Sequence, residues 1–240
     1  MAELGRVGQI MADAIGRDDG VPLPERLCLA CVEALAVHSA AISLMGGSTT
    51  PTATFASDAM SASIDQLQFT LGDGPCLDAY GSGLPVLVCD MGGADGARWP
   101  MLAAGLAGAV PRLGAVVASP LQVNGTAFGV LSLYCLQPCG PAAVDRGAVQ
   151  IAVDASTLAL LAALAQVEHT PTWLDEPGTV GVEVEQAVGM IMAQLETSAE
   201  VVVVRLRAKA FAEDVPIVDL ARAVVARRVR FGDDGRTGSA

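Results

Sequence analysis

Cys28-Leu29-Ala30-Cys31 sets two thiols three residues apart, a spacing that can grip a metal ion or cycle a disulfide. A zinc site needs two more ligands, and Cys135 and Cys139 are the available pair. Leu27, Cys31 and Leu35 recur at spacing four, however. That places the thiols on the apolar face of a helix, where cysteine behaves as a small buried hydrophobe, and we expect no metal. His38 stands at a helix end and His169 in a linker, without clustered partners. The second chemistry is cationic. Residues 205–230 hold seven bases (Arg205, Arg207, Lys209, Arg222, Arg227, Arg228, Arg230) against three acids. Such charge binds phosphate, and guanidinium planes also stack on exposed bases. The third feature is a loop, Leu71-Gly72-Asp73-Gly74-Pro75. Gly72 and Gly74 permit a tight turn and Pro75 pre-sets a helix start, a common wall for a small-molecule pocket. Phe69, Gly72, Gly74, Cys76 and Tyr80 are its candidate lining.

The chain that must position these groups has 240 residues, 52% apolar and 17% charged, with a net charge of −12. Its length allows one or two domains with a real core, and its composition excludes intrinsic disorder. The acidic balance excludes a protein coated in basic charge. The start, Met1-Ala2-Glu3-Leu4-Gly5-Arg6, lacks the pattern of an export signal. The uncharged stretch 113–144 is broken by Pro120, Asn124-Gly125, Pro138 and Gly140-Pro141, which suits strands and turns, not a membrane span. A cytoplasmic protein with reduced thiols is expected.

Charge divides the chain in two. Residues 1–179 carry 17 acids and 6 bases, residues 180–240 carry 9 and 8. The Pro- and Gly-bearing stretch 168–179 reads as the linker between them. Before it the pattern is mixed α and β. Helices are expected at 24–36, 60–67 and 101–109, and strands at 39–45, 52–56, 85–89, 115–123 and 126–134. Asn124-Gly125 between the last two signals a tight hairpin. Residues 145–167 form a helix with one narrow polar stripe, Arg146, Gln150, Asp154 and Thr157. Its apolar residues Val153, Leu160, Leu164 and Val167 follow near-heptad spacing, so a second copy is expected to cover them. After the linker, a helix over 180–195 is followed by a second, with Thr197 and Glu200 as a capping box, and a third beginning near Pro216.

The order of elements around the run Leu71-Gly72-Asp73-Gly74-Pro75-Cys76-Leu77-Asp78-Ala79 resembles a GAF domain over residues 20–167. The resemblance implies an α+β fold, a six-stranded antiparallel sheet flanked by helices. It also implies dimer formation and the sensing of a small ligand or signal. Cys76 is followed by Leu77, not by the histidine usual in bilin-binding members, and no bound cofactor is implied. Free methionine-R-sulfoxide reductases share that fold. The stretch Arg112-Leu113-Gly114-Ala115-Val116, which would carry their nucleophile, has no cysteine, so no catalytic residue is assigned and a thiol enzyme using Cys76 and Cys89 is the less favoured reading.

Residues 180–231 resemble the ANTAR domain, a three-helix RNA-binding module of bacterial antiterminators. The matching residues are Gln186-Ala187, Gly189, Ile191-Met192, Leu206-Arg207, Ala210 and Asp219-Leu220-Ala221. The resemblance implies a dimer that binds RNA hairpins and controls transcription termination. Ala187, Gly189, Met192, Arg205, Arg207, Lys209 and Arg222 are the expected RNA-binding residues. The family's Ala-Lys-Gly is Ala187-Val188-Gly189 here. The alternative is therefore a non-catalytic dimerisation or interaction protein with a degenerate ANTAR domain. The remaining segments, 1–19 and 232–240, read as an extension and a flexible tail.

Overall fold

The computed structural model describes residues 2–46, 51–110, 113–138, 145–165, 180–213 and 215–232. The linker 168–179, Cys139, His169 and Val167 lie outside them. The chain divides into two compact units, 1–179 and 180–240.

The first unit is built on one antiparallel sheet. Strands β1 (Ser39–Met45), β2 (Pro51–Ala56), β3 (Val86–Val88), β4 (Ala115–Val123) and β5 (Thr126–Cys135) lie in the order β2-β1-β5-β4-β3. Among the described residues there are five strands where the family resemblance implies six. Val123 pairs with Thr126 across Asn124 (φ 51°) and Gly125 (φ 80°), the two left-handed residues of a type I′ turn.

Every residue of β1 is buried, because both faces of this strand are covered. Strand alternation sorts its side chains into two layers. Ala40, Ile42 and Leu44, with Leu131 and Leu133 of β5, pack on helices α1 (Ala2–Gly16), α2 (Leu23–Leu35) and α6 (Arg146–Leu164). Ala41, Ser43 and Met45 face α3 (Ala59–Leu71), α4 (Pro75–Ser82) and α5 (Pro100–Ala109) on the other side.

Two expectations are corrected here. Helix α1 is no mere extension. Val7, Met11 and Ala14 are at most 5% exposed and belong to the core against α2 and α6. It also packs against α6. Val153 (7% exposed) and Leu160 (0%), expected to meet a second copy, point into their own protomer's core, as does Thr157 from the expected polar stripe. Leu158, at 69%, and the expected seam residue Leu164, at 38%, are exposed. By length and composition α6 could cross a membrane, but Val153 and Leu160 hold it in this core.

The second unit contains α7 (Val180–Leu195), α8 (Ala199–Ala212) and α9 (Ile217–Val225). Val184, Ala187 and Ile191 meet Val202, Leu206 and Ala210, and both rows meet Ile217, Leu220, Ala221 and Val224. These rows follow the three- and four-residue spacing of helical faces. The valine run 201–204 lies within α8. Ser198 rather than Thr197 is the N-cap of α8, with no side-chain capping bond, because the helix starts one residue later than a capping box needs. Pro216 is the N-cap of α9, which ends at Val225, so Arg227, Arg228 and Arg230 lie beyond the helix.

A Met11→Ala variant is expected to lose about 2–5 kcal/mol of unfolding free energy. Leu158→Ala should stay within about 0.5 kcal/mol. Urea denaturation of both checks that α1 belongs to the fold; equal, small losses would show that it does not.

Candidate functional site

The first candidate site is a polar layer between the sheet and α3. Asp58 caps α3 by accepting from the Ser61 amide at 2.8 Å. The helix then carries Asp65 and Gln68, three residues apart, onto the sheet. Asp65 is fully buried and accepts from Tyr134 Oη on β5, from Ser43 Oγ on β1 (2.9 Å) and from Gln68 Nε2 (3.1 Å). Burial raises its carboxyl pKa to about 6, although the bonds from Tyr134 and Ser43 pull it back down. Burial first, and the charge of Asp65 second, push the Tyr134 hydroxyl up, so tyrosine is the proton donor at neutral pH.

Gln68 carries this layer into the glycine loop. Its Oε1 accepts from the Cys76 amide at 2.9 Å, and its carbonyl accepts from the Gly72 amide at 2.8 Å. Gly74, with φ 146°, lies so close that a Cβ there would sit 2.5 Å from Gln68 Oε1. A side chain is excluded at Gly74 both by backbone conformation and by this contact.

Of the residues expected to line a pocket, Phe69, Cys76 and Tyr80 do come together, packed with Met45, Leu77, Ala118 and Val130. Gly72 caps α3 in a left-handed conformation, and Gly74 is the N-cap of α4. Sequence reasoning missed Asp65, Gln68, Ser43 and Tyr134. Their signal was the helical spacing of Asp65 and Gln68 against a serine on β1 and a tyrosine on β5. The neighbouring Asp78 joins α4 to the 3-10 turn Asp95–Arg98, meeting Arg98 Nη2 at 2.8 Å and accepting from Trp99 Nε1 at 3.1 Å.

Cys28, Cys31 and Cys76 are buried thiols. Burial pushes Cys76 well above its ordinary value and Cys31 up to about 12, whereas nucleophilic cysteines need a stabilised thiolate. Cys28 and Cys31 are both fully buried in the α2 core. His38 lies just beyond α2, and its Nδ1 accepts from the Leu136 amide at 3.2 Å. Among the described residues no group of three histidine, cysteine or acidic side chains is placed to hold a metal. A separate open groove of about 740 Å³ runs between the β4–β5 hairpin and α6, with Leu84, Val123, Asp154 and Leu158 among its walls. None of the five expected pocket residues lines it.

The second candidate site is the surface of the three-helix unit, and here the expected residues separate. Ala187 is fully buried in the core, and Val188 and Met192 pack partly against it. Gly189 is exposed, with open space where a Cβ would stand. Arg205 is exposed and makes no ion pair among the described residues. Arg207 is half-buried, and that burial lowers its pKa. Lys209 meets Glu213 at 2.6 Å, while Arg222 meets Glu183 at 3.2 Å and Asp219 at 3.3 Å. Lys209 and Arg222 are thus already paired with carboxylates.

No family model matches the chain, and comparison with curated proteins finds no match. Solved structures are similar in part. The A. aeolicus nlh2 GAF domain in an inactive state shares 15% identity, covering 69% of this chain and 98% of its own, with a TM-score of 0.47. The GAF domain of a Coxiella burnetii phosphoenolpyruvate-protein phosphotransferase shares 12%, covering 70% and 97%, with a TM-score of 0.48. Free methionine-R-sulfoxide reductase from Neisseria meningitidis, in complex with its substrate, shares 15%, covering 65% and 87%, with a TM-score of 0.44.

Two outcomes test the first site. Gly74→Ala should cost about 1–3 kcal/mol of stability from backbone strain, whereas Gly81→Ala, which meets open space within α4, should be neutral or stabilising. Asp65 holds its proton more tightly folded than unfolded. Its contribution to stability is therefore complete below about pH 4 and is lost as pH rises to about 6, on the order of 3 kcal/mol. Denaturation of wild type and Asp65→Asn from pH 4 to 7 should show the wild type losing ground to the variant; a constant difference would refute the shift.

Proposed function

We propose that the chain is a cytoplasmic, signal-responsive regulator. In this reading residues 180–231 bind RNA hairpins and thereby control transcription termination, while residues 20–167 sense a small ligand or signal. The observation that carries it is Arg205, exposed and without a carboxylate partner among the described residues, within a basic segment of an acidic chain. RNA binding needs such cations for phosphate, displayed on a scaffold with its own core. The ANTAR-like motif residues support the reading, as Ile191, Leu206, Ala210, Leu220 and Ala221 form that core. The GAF-like run supports the sensor role, because the Gly72 and Cys76 amides both donate to Gln68, which in turn donates to the buried Asp65. A ligand pressing on the loop would disturb that layer.

The reading includes no catalytic step, consistent with the raised thiol of Cys76. It takes the working form to be a homodimer. Ligand binding then alters RNA affinity by favouring one of two dimer states, which requires different ligand affinities in the two.

A second reading has its own support. Val201, Val204 and Phe211 are exposed on α8, at 43%, 64% and 55%, and Val188 replaces the family lysine. In that reading the bundle is a protein-interaction module.

Gel shift of the full chain against a randomised-loop RNA hairpin pool separates the two. RNA binding should weaken roughly ten- to a thousandfold between about 50 and 200 mM salt, and Arg205→Ala should weaken it further. Absence of salt-dependent binding would favour the interaction module.

A further inference from the structure

We infer that the turn formed by residues 226–231 is a preset phosphate-binding platform, and that Arg227, Arg228 and Arg230 supply the main electrostatic contact to RNA. The inference rests on the RNA-binding reading above and moves its centre away from Lys209 and Arg222. Those two cations are held by Glu213, Glu183 and Asp219. The three turn arginines are all exposed, and none makes an ion pair among the described residues.

The backbone beneath them is fixed. Helix α9 ends at Val225, and Arg227 adopts φ 58°, a left-handed conformation that reverses the chain. Its amide donates to the Val224 carbonyl at 2.8 Å, and the Arg228 and Val229 amides both donate to Ala223, at 2.8 and 3.2 Å. The segment then alternates. Val229 and Phe231 pack against the bundle core, leaving Arg228 and Arg230 outside. Phe231 is pinned twice. Its amide donates to Gln194 Oε1 of α7 at 3.0 Å, and the Lys209 ammonium of α8 lies 6.0 Å from its ring.

A helix C-terminus favours one nearby cation through its dipole, an effect that fades within a turn. That does not account for Arg230, five residues past the helix end, or for the anchoring of Phe231 to both other helices. A turn bonded to α7 and packed on the core presents its charges with little ordering left to lose on binding, which is what phosphate capture requires. Asp233 and Asp234 follow in the sequence, so the stretch 227–234 stays net positive.

The test uses the full chain and the randomised-loop RNA hairpin pool, read by fluorescence anisotropy across salt concentrations. The triple variant Arg227→Asn/Arg228→Ser/Arg230→Ser keeps a residue tolerant of the left-handed conformation at position 227. It should bind about tenfold or more weakly at about 50 mM salt. The slope of log affinity against log salt should fall by about two, as expected for three lost phosphate contacts. A lysine triple at the same positions should recover most of the affinity, and Arg17→Ser in the first unit should change it less than about twofold. Unchanged affinity and slope in the Asn/Ser/Ser variant, with wild type binding normally, would overturn the platform and leave the RNA-binding reading intact. Wild type that binds no hairpin, or binds only phosphatidylserine vesicles, would overturn both. Thermal melting followed by circular dichroism should show all variants folded; loss of the fold only in the Asn/Ser/Ser variant would assign the arginines a structural role instead.

Discussion

A carboxylate removed from water organises the first unit of this chain. Asp65 is fully buried, and three donors from α3, β1 and β5 converge on it. A buried charge is tolerated only when such bonds replace its hydration. The helix, the two central strands and, through Gln68, the first turn of α4 are therefore bound to one position. Loss of the Ser43 hydroxyl, the donor to Oδ2, leaves that oxygen unsatisfied in the core, a penalty larger than the bond alone is worth, whereas Oδ1 has two donors in Gln68 and Tyr134. Gly74 serves the same constraint by leaving room for Gln68.

The three-helix unit follows a different rule. Surface ion pairs contribute little to stability, so the pairing of Arg222 and Lys209 matters mainly for what those cations can still do. The Arg222–Glu183 contact ties α9 to α7 and consumes charge that the sequence offers as free. Arg205 and the arginines after α9 keep theirs. Distribution of partners, more than the number of arginines, decides where an anion would settle.

The strands at 39–45 and 115–123, the Asn124-Gly125 turn and the helix at 180–195 were legible because local chemistry alone specifies them. Alternation, two left-handed turn residues and a helical apolar face need no knowledge of distant partners. Helix α1 was hidden by Gly5, Gly8 and Gly16, which lower its helix propensity and mask the Leu4, Val7, Met11 and Ala14 stripe. The α6 seam shows a further limit. Heptad-like spacing alone does not say what covers a face: Val153 and Leu160 are buried within their own protomer, whereas Leu164 is exposed. At the candidate sites, Phe69, Cys76 and Tyr80 were read together and are packed together. Asp65 was passed over because polar residues on a helix ordinarily face water. Lys209 with Glu213 and Arg222 with Asp219 had helix-pair spacing, but Glu183 lies 39 residues from Arg222 and no local pattern links them.

The account stands on nucleic acid meeting the basic segment of the three-helix unit and not the first unit. Ultraviolet crosslinking of the full chain to hairpin RNA, with the attached peptides identified by mass spectrometry, tests this most directly. The account predicts adducts concentrated in residues 205–231 and lost at high salt. Adducts spread evenly over residues 1–165, or none at any salt concentration, would contradict it.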